Sequence, residues 1–295
     1  MSGSPGARPS ANPWARRSWT DLGPRLVSAA VLLALALSTL FLGGYVFAAT
    51  VGVVFAGCIR EWERMVTLRP TSPLGYAIIG VVGISGLFYP AFGLLGVLGA
   101  GFVASVLAAL GPRAPRLWRV AGVVFFTLVI GALVGVRGSA VWNVSSLTDT
   151  GFWAGVFLGT VIVITDSGAY FTGRQVGGEK LAPDISPGKT WSGAIGGFAM
   201  GTLAGLVLWL VIVPQSPWWI GLSLAAAISI IGQVGDLCES ALKRRFRIKD
   251  SGDIIPGHGG LMDRLDSMSF GALFLFAVGA LHQGLDAAAL GILVW

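Results

Sequence analysis

The sequence predicts an all-α integral membrane protein that crosses the bilayer about nine times, with its N-terminus in the cytoplasm. Two features of composition support this fold class. The mean hydropathy is +0.78 and only 12% of the residues are charged, which excludes an ordinary soluble domain. Apolar runs long enough for a helical span recur along the chain, and basic residues fall between them in alternate segments.

About 20 apolar residues cross a bilayer as a helix, and this length divides the hydrophobic sequence into nine segments. The runs at 26–59 and 74–110 are too long for one span each, and Gly43-Gly44 and Tyr89-Pro90 supply breaks within them. Residues 1–24, rich in Pro, Ser, Ala and Arg, are predicted to form a disordered cytoplasmic tail. The predicted spans are 25–42, 44–59, 73–89, 92–110, 118–136, 151–171, 191–213, 217–237 and 265–283.

The basic residues orient these spans. With a cytoplasmic N-terminus, the five inner segments hold 4, 3, 3, 3 and 6 Lys/Arg, which is 19 of the 20 in the chain. Only Arg137 falls outside. This asymmetry follows the positive-inside rule, so the net charge of +6 requires no nucleic-acid partner. The inner segments are 1–25, 60–72, 111–119, 172–190 and 238–264.

The acidic residues divide the chain into two regions. Nine of the 14 fall between residues 166 and 266, near the predicted inner face. Membrane topology explains the positions of Lys and Arg but does not require Asp or Glu at any position, so these carboxylates indicate a functional site. We therefore expect residues 151–295 to form a catalytic region with its site at the cytoplasmic face. Residues 25–150 are expected to serve as scaffold, dimer surface or lipid entry.

Four aspartates are candidates for a metal site. Asp166 lies within an apolar span, Asp236 lies near the inner end of another, and Asp263 and Asp266 open the last span. The i,i+3 spacing of Asp263 and Asp266 predicts that they share one helix face. Adjacent carboxylates repel unless a cation lies between them, and Mg²⁺ takes one or two carboxylates together with phosphates and waters. Acidic residues in a first helical turn also favour the helix dipole, so a structural interpretation of this pair stays open.

The segment before the last span is densely charged. Residues 240–266 hold six Lys/Arg and four Asp in 27 positions. Lys243 and Arg244 follow directly on a span, so membrane anchoring alone can explain them. Lys249 precedes a glycine-rich loop that contains His258, and glycines let a backbone approach a ligand and present its N–H groups to phosphate. The combination predicts phosphate chemistry at the membrane surface.

A second polar segment, Ser186 to Thr190, leads into the seventh predicted span and contains Lys189. It lacks the GxxxxGK[ST] spacing and the βαβ context of a phosphate-binding P-loop. At a helix N-terminus, however, such residues bind anions through free N–H groups and the helix dipole. The same residues suit a plain helix start, so both interpretations stand.

These segments resemble the signature of the phosphatidate cytidylyltransferases, the CDP-diacylglycerol synthases. Two upstream stretches also match, one from Asp166 to Gly173 and one from Ser186 to Gly193. Gly188 departs from the pattern, since relatives often carry a second lysine there. The resemblance covers about residues 166–270, whereas the first 150 residues match only as hydrophobic spans. The matching signature positions are Ser240, Lys243, Arg244, Lys249, Asp250, Pro256, His258, Gly259, Gly260, Asp263, Arg264 and Asp266.

The resemblance implies an enzyme of phospholipid biosynthesis that joins CTP to phosphatidic acid, giving CDP-diacylglycerol and pyrophosphate. We expect Mg²⁺ to be held by Asp236, Asp263 and Asp266, and the resemblance implies K⁺ as a second ion. The expected catalytic residues are Asp236, Asp263, Asp266, Lys249 and His258. The expected substrate-binding residues are Ser186, Lys189, Thr190, Ser240, Lys243, Arg244, Asp250, Gly259, Gly260, Arg264 and Asp166.

The expected partners are the two substrates and membrane lipids, and the resemblance suggests a homodimer. The Arg-, Ala-, Gly- and Pro-rich composition suggests a bacterial inner membrane, with the site at its cytoplasmic face. Two alternatives stay open. A CTP-dependent polyprenol or dolichol-type lipid kinase would release CDP, and an ion-coupled transporter would use intramembrane carboxylates. The complete His-Gly-Gly to Asp-Arg-x-Asp ending favours the cytidylyltransferase over both.

Overall fold

The computed structural model of the protein describes residues 22–111, 115–138, 149–252 and 259–295. The chain divides after Ala36 into two compact units, of which the first is described as a helical segment and the second contains the candidate site. The described helices are α1 (Leu22–Leu42), α2 (Gly44–Thr67), α3 (Pro73–Ser85), α4 (Tyr89–Leu110), α5 (Arg116–Arg137), α6 (Thr150–Val176), α7 (Trp191–Ile212), α8 (Trp218–Arg245), α9 (Asp266–Gln283) and α10 (Ala288–Leu293).

The helical lengths confirm a polytopic α-helical membrane protein. Among the described residues, six helical segments are long and apolar enough to cross a bilayer. A seventh is counted if α9 and the segment Leu285–Leu293, which meet at a bend of 116°, form one span. The number differs from nine partly because α3 and α4 form one continuous apolar run, Pro73–Leu110. In α1 the described apolar segment, Ala30–Leu42, is too short to be counted as a span. The count of nine stays a prediction.

The run from α3 to α4 is kinked. Gly93 interrupts its helical geometry with φ +59° and ψ −155°, three residues after the predicted break at Tyr89-Pro90. A side chain at Gly83 would meet Ala56 of α2, and one at Gly101 would meet Thr127 of α5. Small residues thus let α3 pack against α2 and α4 pack against α5.

Arg137, the one basic residue predicted to lie outside, is buried rather than exposed. Its guanidinium group donates to the carbonyl oxygens of Leu40 (2.5 Å) and Phe41 (3.1 Å) at the end of α1. It also forms an ion pair of 3.1 Å with Asp149, whose carboxylate caps the N-terminus of α6. This side chain satisfies two helix ends at once, which explains why it is tolerated away from the inner face.

Two hydrophobic cores lie along the helices. One packs α2, α3, α4 and α5 together around residues such as Phe55, Ile78 and Phe126. The other joins α6, α8, α9 and α10 around Phe157, Ile228 and Leu275. Met262, which belongs to the charged signature segment, is buried in the first core. The signature is therefore attached to the N-terminal helices as well as to its own neighbours.

Two features extend the sequence-based description of the predicted inner segments. α2 and α8 run past their predicted span ends to Thr67 and Arg245, so the first inner loop and the signature both begin as helix. A short antiparallel hairpin, β1 (Lys180–Ala182) and β2 (Ser186–Thr190), lies between α6 and α7. The all-α prediction missed this hairpin because five residues of mixed polarity carry no strand periodicity.

Candidate active site

A first set of charges comes together from α6, α8, the start of α9 and the β1–β2 hairpin. Lys189 Nζ on β2 lies 2.7 Å from Asp236 Oδ2 on α8. Asp166 on α6 interacts electrostatically with both of these groups. Asp266, the first residue of α9, interacts with Asp236 and Asp166. Three aspartates that the sequence singled out therefore interact with one another, and two of them also interact with Lys189.

A second set of charges adjoins the first. Lys243 Nζ lies 3.1 Å from Glu239 Oε1, one turn earlier on α8, and forms a close ion pair with Asp263 Oδ1. Asp263 Oδ2 accepts hydrogen bonds from the backbone amides of Ser251 (3.1 Å) and Gly260 (3.2 Å). Glu239 interacts electrostatically with Asp266, which connects the two sets.

Asp263 remains ionised in this environment. Burial opposes its ionisation, but contacts with Glu239 and Lys243, the charge of Lys243 and the Ser251 amide outweigh burial and lower the pKa of Asp263 to about 2. Hydrogen bonds to a charged carboxylate and a neighbouring cation both favour the charged form. The carboxylate is therefore ready to bind cations at neutral pH.

The prediction that Asp263 and Asp266 share one helix face is wrong. Asp263 lies in a single 3₁₀ turn, Met262–Arg264, and Leu265 leaves helical geometry with ψ 3° before α9 begins at Asp266. The helix-dipole interpretation therefore applies to Asp266 alone. In the described part of the chain, no three His, Cys, Asp or Glu side chains converge closely enough to hold a metal ion. Asp236 and Asp263 each form an ion pair with a lysine ammonium group.

The helix-start interpretation of the segment from Ser186 to Thr190 holds at Thr190, and anion binding by the segment stays a prediction. Thr190 caps α7, because its hydroxyl accepts a hydrogen bond of 3.1 Å from the Gly193 amide. Ser186 and Lys189 lie in β2 rather than at the helix N-terminus. The strand directs Lys189 toward Asp236, so the helix cap and the ion pair belong to different residues of this segment.

The remaining signature residues differ in their exposure and contacts. Arg244 Nε donates to the Ile185 carbonyl oxygen at 3.1 Å, which ties α8 to the hairpin turn. Lys249 and Asp250 are exposed beside the site, and Ser240 is half-buried on α8. Arg264 is exposed directly after Asp263. His258 lies outside the described residues, as do residues 1–21 of the predicted tail.

The two described glycines of the loop have steric roles. Gly259 has φ +81°, a conformation that side chains disfavour. A Cβ at Gly260 would lie 1.8 Å from Ser251 Oγ, so glycine allows the two ends of the loop to pack against each other. The Gly260 amide is directed at Asp263 and not at an open phosphate site, which corrects the expectation that this N–H cradles a ligand.

Sequence reasoning missed Glu61, on α2. This carboxylate is 2% exposed and accepts hydrogen bonds from Ser251 Oγ (3.0 Å), Leu261 N (2.9 Å) and Met262 N (2.8 Å). One signal was present: an acidic residue in a basic inner segment is not required by topology. Glu239 was counted among the inner carboxylates but not recognised as the second partner of Lys243.

Two cavities adjoin these groups. An apolar cavity of about 290 Å³ is lined mainly by aromatic and aliphatic side chains, including Trp62, Phe125 and Phe270, with Glu239 and Asp266 at its wall. A more polar cavity of about 700 Å³ lies beside the loop residues Asp250, Ser251 and Gly252. An apolar space in contact with carboxylates suits a molecule with an oily part and a charged part. The polar cavity is also lined by Arg60, Arg64 and Arg69.

Comparison with known proteins agrees with the resemblance. The Cytidylyltransferase family matches residues 24–282. The phosphatidate cytidylyltransferase of Brucella suis biovar 1 (strain 1330) is 35% identical over 273 residues, 90% of this chain and 96% of the relative. That of Bacillus subtilis (strain 168) is 46% identical over 123 residues, 42% of this chain and 46% of the relative. With most of its length matched, the chain belongs to the cytidylyltransferase family.

Proposed function

We propose that the protein transfers the cytidylyl group of CTP to phosphatidic acid, giving CDP-diacylglycerol and pyrophosphate for phospholipid biosynthesis. The observation that carries this proposal is that Glu239, an ion-pair partner of Lys243, and Asp266 lie at the wall of an apolar cavity. A lipid phosphate and a nucleoside triphosphate are both anions, so a site that joins them needs cations to reduce their repulsion. The acyl chains of the lipid need an apolar surface that leads to those cations. The relatives are named for the same reaction.

The chemistry is an in-line displacement at phosphorus. An oxygen of the lipid phosphate attacks the α-phosphorus of CTP, and the bond to pyrophosphate breaks. A phosphate dianion is already a nucleophile, so no general base is required. Lys189 and Lys243 neutralise the approaching anions and stabilise the charge that grows on the leaving group, after exchanging their aspartate partners for phosphate oxygens. Arg244 and Lys249 are exposed at the same face and provide further phosphate contacts.

Asp236 and Asp263, with Asp266 as a further ligand, would hold Mg²⁺. The fit rests on the donor set: both carboxylates bind an ammonium group in this structure, and Asp166 and Asp266 add oxygen ligands close to Asp236. Mg²⁺ needs only one or two protein carboxylates when phosphates and waters complete its shell. When bound, it would neutralise charge on the reacting phosphates. We propose K⁺ as the second ion, on the strength of the resemblance.

We further propose nine spans with a cytoplasmic N-terminus in a bacterial inner membrane, and a homodimeric assembly. The distribution of 19 of 20 Lys/Arg among the predicted inner segments supports this orientation. In this orientation the hairpin, the signature and both lysines would lie at the cytoplasmic face, where CTP is available. Residues 25–150 would form the scaffold and residues 151–295 the catalytic region.

The test is pyrophosphate release by the full-length protein, purified in detergent, with CTP, Mg²⁺ and phosphatidic acid. Release that requires the lipid and is lost in Asp263→Asn supports cytidylyl transfer. Release of CDP without pyrophosphate would assign the protein to the lipid kinases. No turnover of CTP with phosphatidic acid or a polyprenol would contradict both the cytidylyltransferase and the lipid kinase hypotheses.

A further inference from the structure

Glu61 connects the N-terminal helices to the catalytic signature. It lies on α2, some 190 to 201 residues before the three groups that donate to it. Oε2 accepts from Ser251 Oγ and Met262 N, and Oε1 accepts from Leu261 N. Among the described residues, no Lys, Arg or His lies within ion-pair distance of this buried carboxylate. Within the described part of the chain, its charge is compensated by hydrogen bonds from the loop.

The same loop groups hold Asp263. Ser251 donates its hydroxyl to Glu61 and its backbone amide to Asp263 Oδ2. Leu261 and Met262, whose amides also donate to Glu61, directly precede Asp263. The orientation of the Asp263 carboxylate therefore depends on hydrogen bonds that end at Glu61.

The contact leaves little room for adjustment. A Cβ at Gly252 would lie 2.5 Å from Glu61 Oε1. A Cβ at Gly260 would lie 1.8 Å from Ser251 Oγ. A side chain at Gly252 would displace the Glu61 carboxylate, and one at Gly260 would displace the Ser251 hydroxyl that donates to it. The described ends of the loop are therefore closely packed around Glu61.

We propose that Glu61 is a positioning residue for cytidylyl transfer, which fixes Asp263 and Lys243 by anchoring the loop between α8 and α9. The inference rests on the proposed function. A buried carboxylate without a cation is costly unless its hydrogen bonds are complete, so its neutralisation releases the loop rather than leaving it in place. Groups behind the first layer of a catalytic site typically change activity by about 10- to 100-fold when altered.

The test substitution is Glu61→Gln. Glutamine keeps the size but offers one acceptor oxygen, and its NH₂ group faces a donor that needs an acceptor. We expect kcat for lipid-dependent pyrophosphate release to fall about 10- to 100-fold, with KM for CTP changed by less than about threefold. Hydrogen–deuterium exchange of peptides covering residues 250–265 should become faster, a readout that requires no catalysis.

Glu63 provides the matched control. It lies two residues later on α2, is also buried, and contacts Arg119 rather than the loop. The double variant Glu63→Gln with Arg119→Met removes that ion pair without leaving a lone buried charge. We expect it to change thermal stability while kcat per folded molecule and exchange in 250–265 stay within about twofold of the parent.

Two further variants keep the proposal testable if Glu61→Gln folds poorly. Glu61→Asp retains the charge and should recover part of kcat, whereas Ser251→Ala removes one donor and should lose less than Glu61→Gln. Parent-like kcat and parent-like exchange in Glu61→Gln would overturn the positioning role. So would equal losses in the Glu63→Gln, Arg119→Met control. A parent protein that releases no pyrophosphate would instead refute the proposed function.

Discussion

The ion pairs of this protein take two forms, which differ in how far water reaches their charged groups. Between α2 and α5, Glu63 and Arg119 form an ion pair of 2.7 Å whose side chains are 6% and 3% exposed. Between β2 and α8, Lys189 and Asp236 form an ion pair of the same length whose side chains are 26% and 33% exposed. The two distances are equal, but the Lys189–Asp236 pair, here called the open pair, is more accessible to ligands than the Glu63–Arg119 pair.

The Glu63–Arg119 pair, here called the closed pair, is almost fully shielded from solvent, and Arg119 Nε and Nη2 both contact the Glu63 carboxylate. Such a pair holds two helices in register but cannot exchange partners without exposing a buried charge. The open pair can exchange its partner for a phosphate or a metal ion at small cost, because water already reaches both groups. Glu61 is intermediate: it is closed, yet it acts on the open site through the loop.

The largest expected effect comes from the open site. Neutralising Asp263 with Asp263→Asn removes the charge that holds Lys243, so we expect pyrophosphate release to fall by on the order of 10³-fold. Membrane insertion and the amount of folded protein should be nearly unchanged. The control is Asp286→Asn, which lies beyond α9, away from the signature. Near-normal turnover in Asp263→Asn would contradict the assignment of the site.

Removal of a lysine should have the next largest effect. Lys189→Met abolishes the contact with Asp236 and one cation for the phosphates, and we expect kcat/KM for CTP to fall about 100-fold. Lys180→Met, on β1 of the same hairpin, is the matched control, because Lys180 is exposed and makes no ion pair in the described part of the chain. Equal losses in the two variants would indicate that Lys189 supports the hairpin and not the reaction.

A smaller effect should follow from a single methyl group in the loop. Gly260→Ala places a carbon 1.8 Å from Ser251 Oγ, so the loop must shift, and we expect about a tenfold loss of kcat. Gly188→Ala is the control, because a Cβ there meets nothing within 4 Å. Initial rates at saturating substrates distinguish the two. If Gly260→Ala kept full activity, the loop would tolerate rearrangement and would not require the geometry described.

The smallest effect on activity is expected for the closed pair. Arg119→Met leaves Glu63 buried without its cation, which destabilises a protein by about 3–5 kcal/mol. Thermal unfolding in detergent should show a clear decrease in the midpoint, while kcat per folded molecule should remain within about twofold of the parent. A loss of kcat comparable to that of Lys189→Met would erase the distinction between the two kinds of pair.

The sequence predicts the membrane class and the polar residues of the site because both leave local signals. Apolar length identifies spans, and Asp or Lys in an apolar context stands out without any structure. The carboxylates Asp166, Asp236 and Asp266 were all recognised in this way, and the structure brings them together.

Pairings between distant residues leave no such signal. The partners of Lys189 and Lys243 depend on the hairpin and on the turn before α9, which interrupts the expected helix between Asp263 and Asp266. Glu61 was missed because its three donors lie about 190 to 201 residues away and two of them are backbone amides, whose position no side-chain pattern encodes.

The fate of label from CTP tests the central claim most directly. The purified protein would be incubated with phosphatidic acid, Mg²⁺ and CTP that carries radioactive phosphorus at either the α or the γ position. Cytidylyl transfer predicts that α-label enters the lipid fraction and that γ-label appears in pyrophosphate, with both signals lost in Asp263→Asn. Transfer of γ-label to the lipid, with CDP left in solution, would contradict the account.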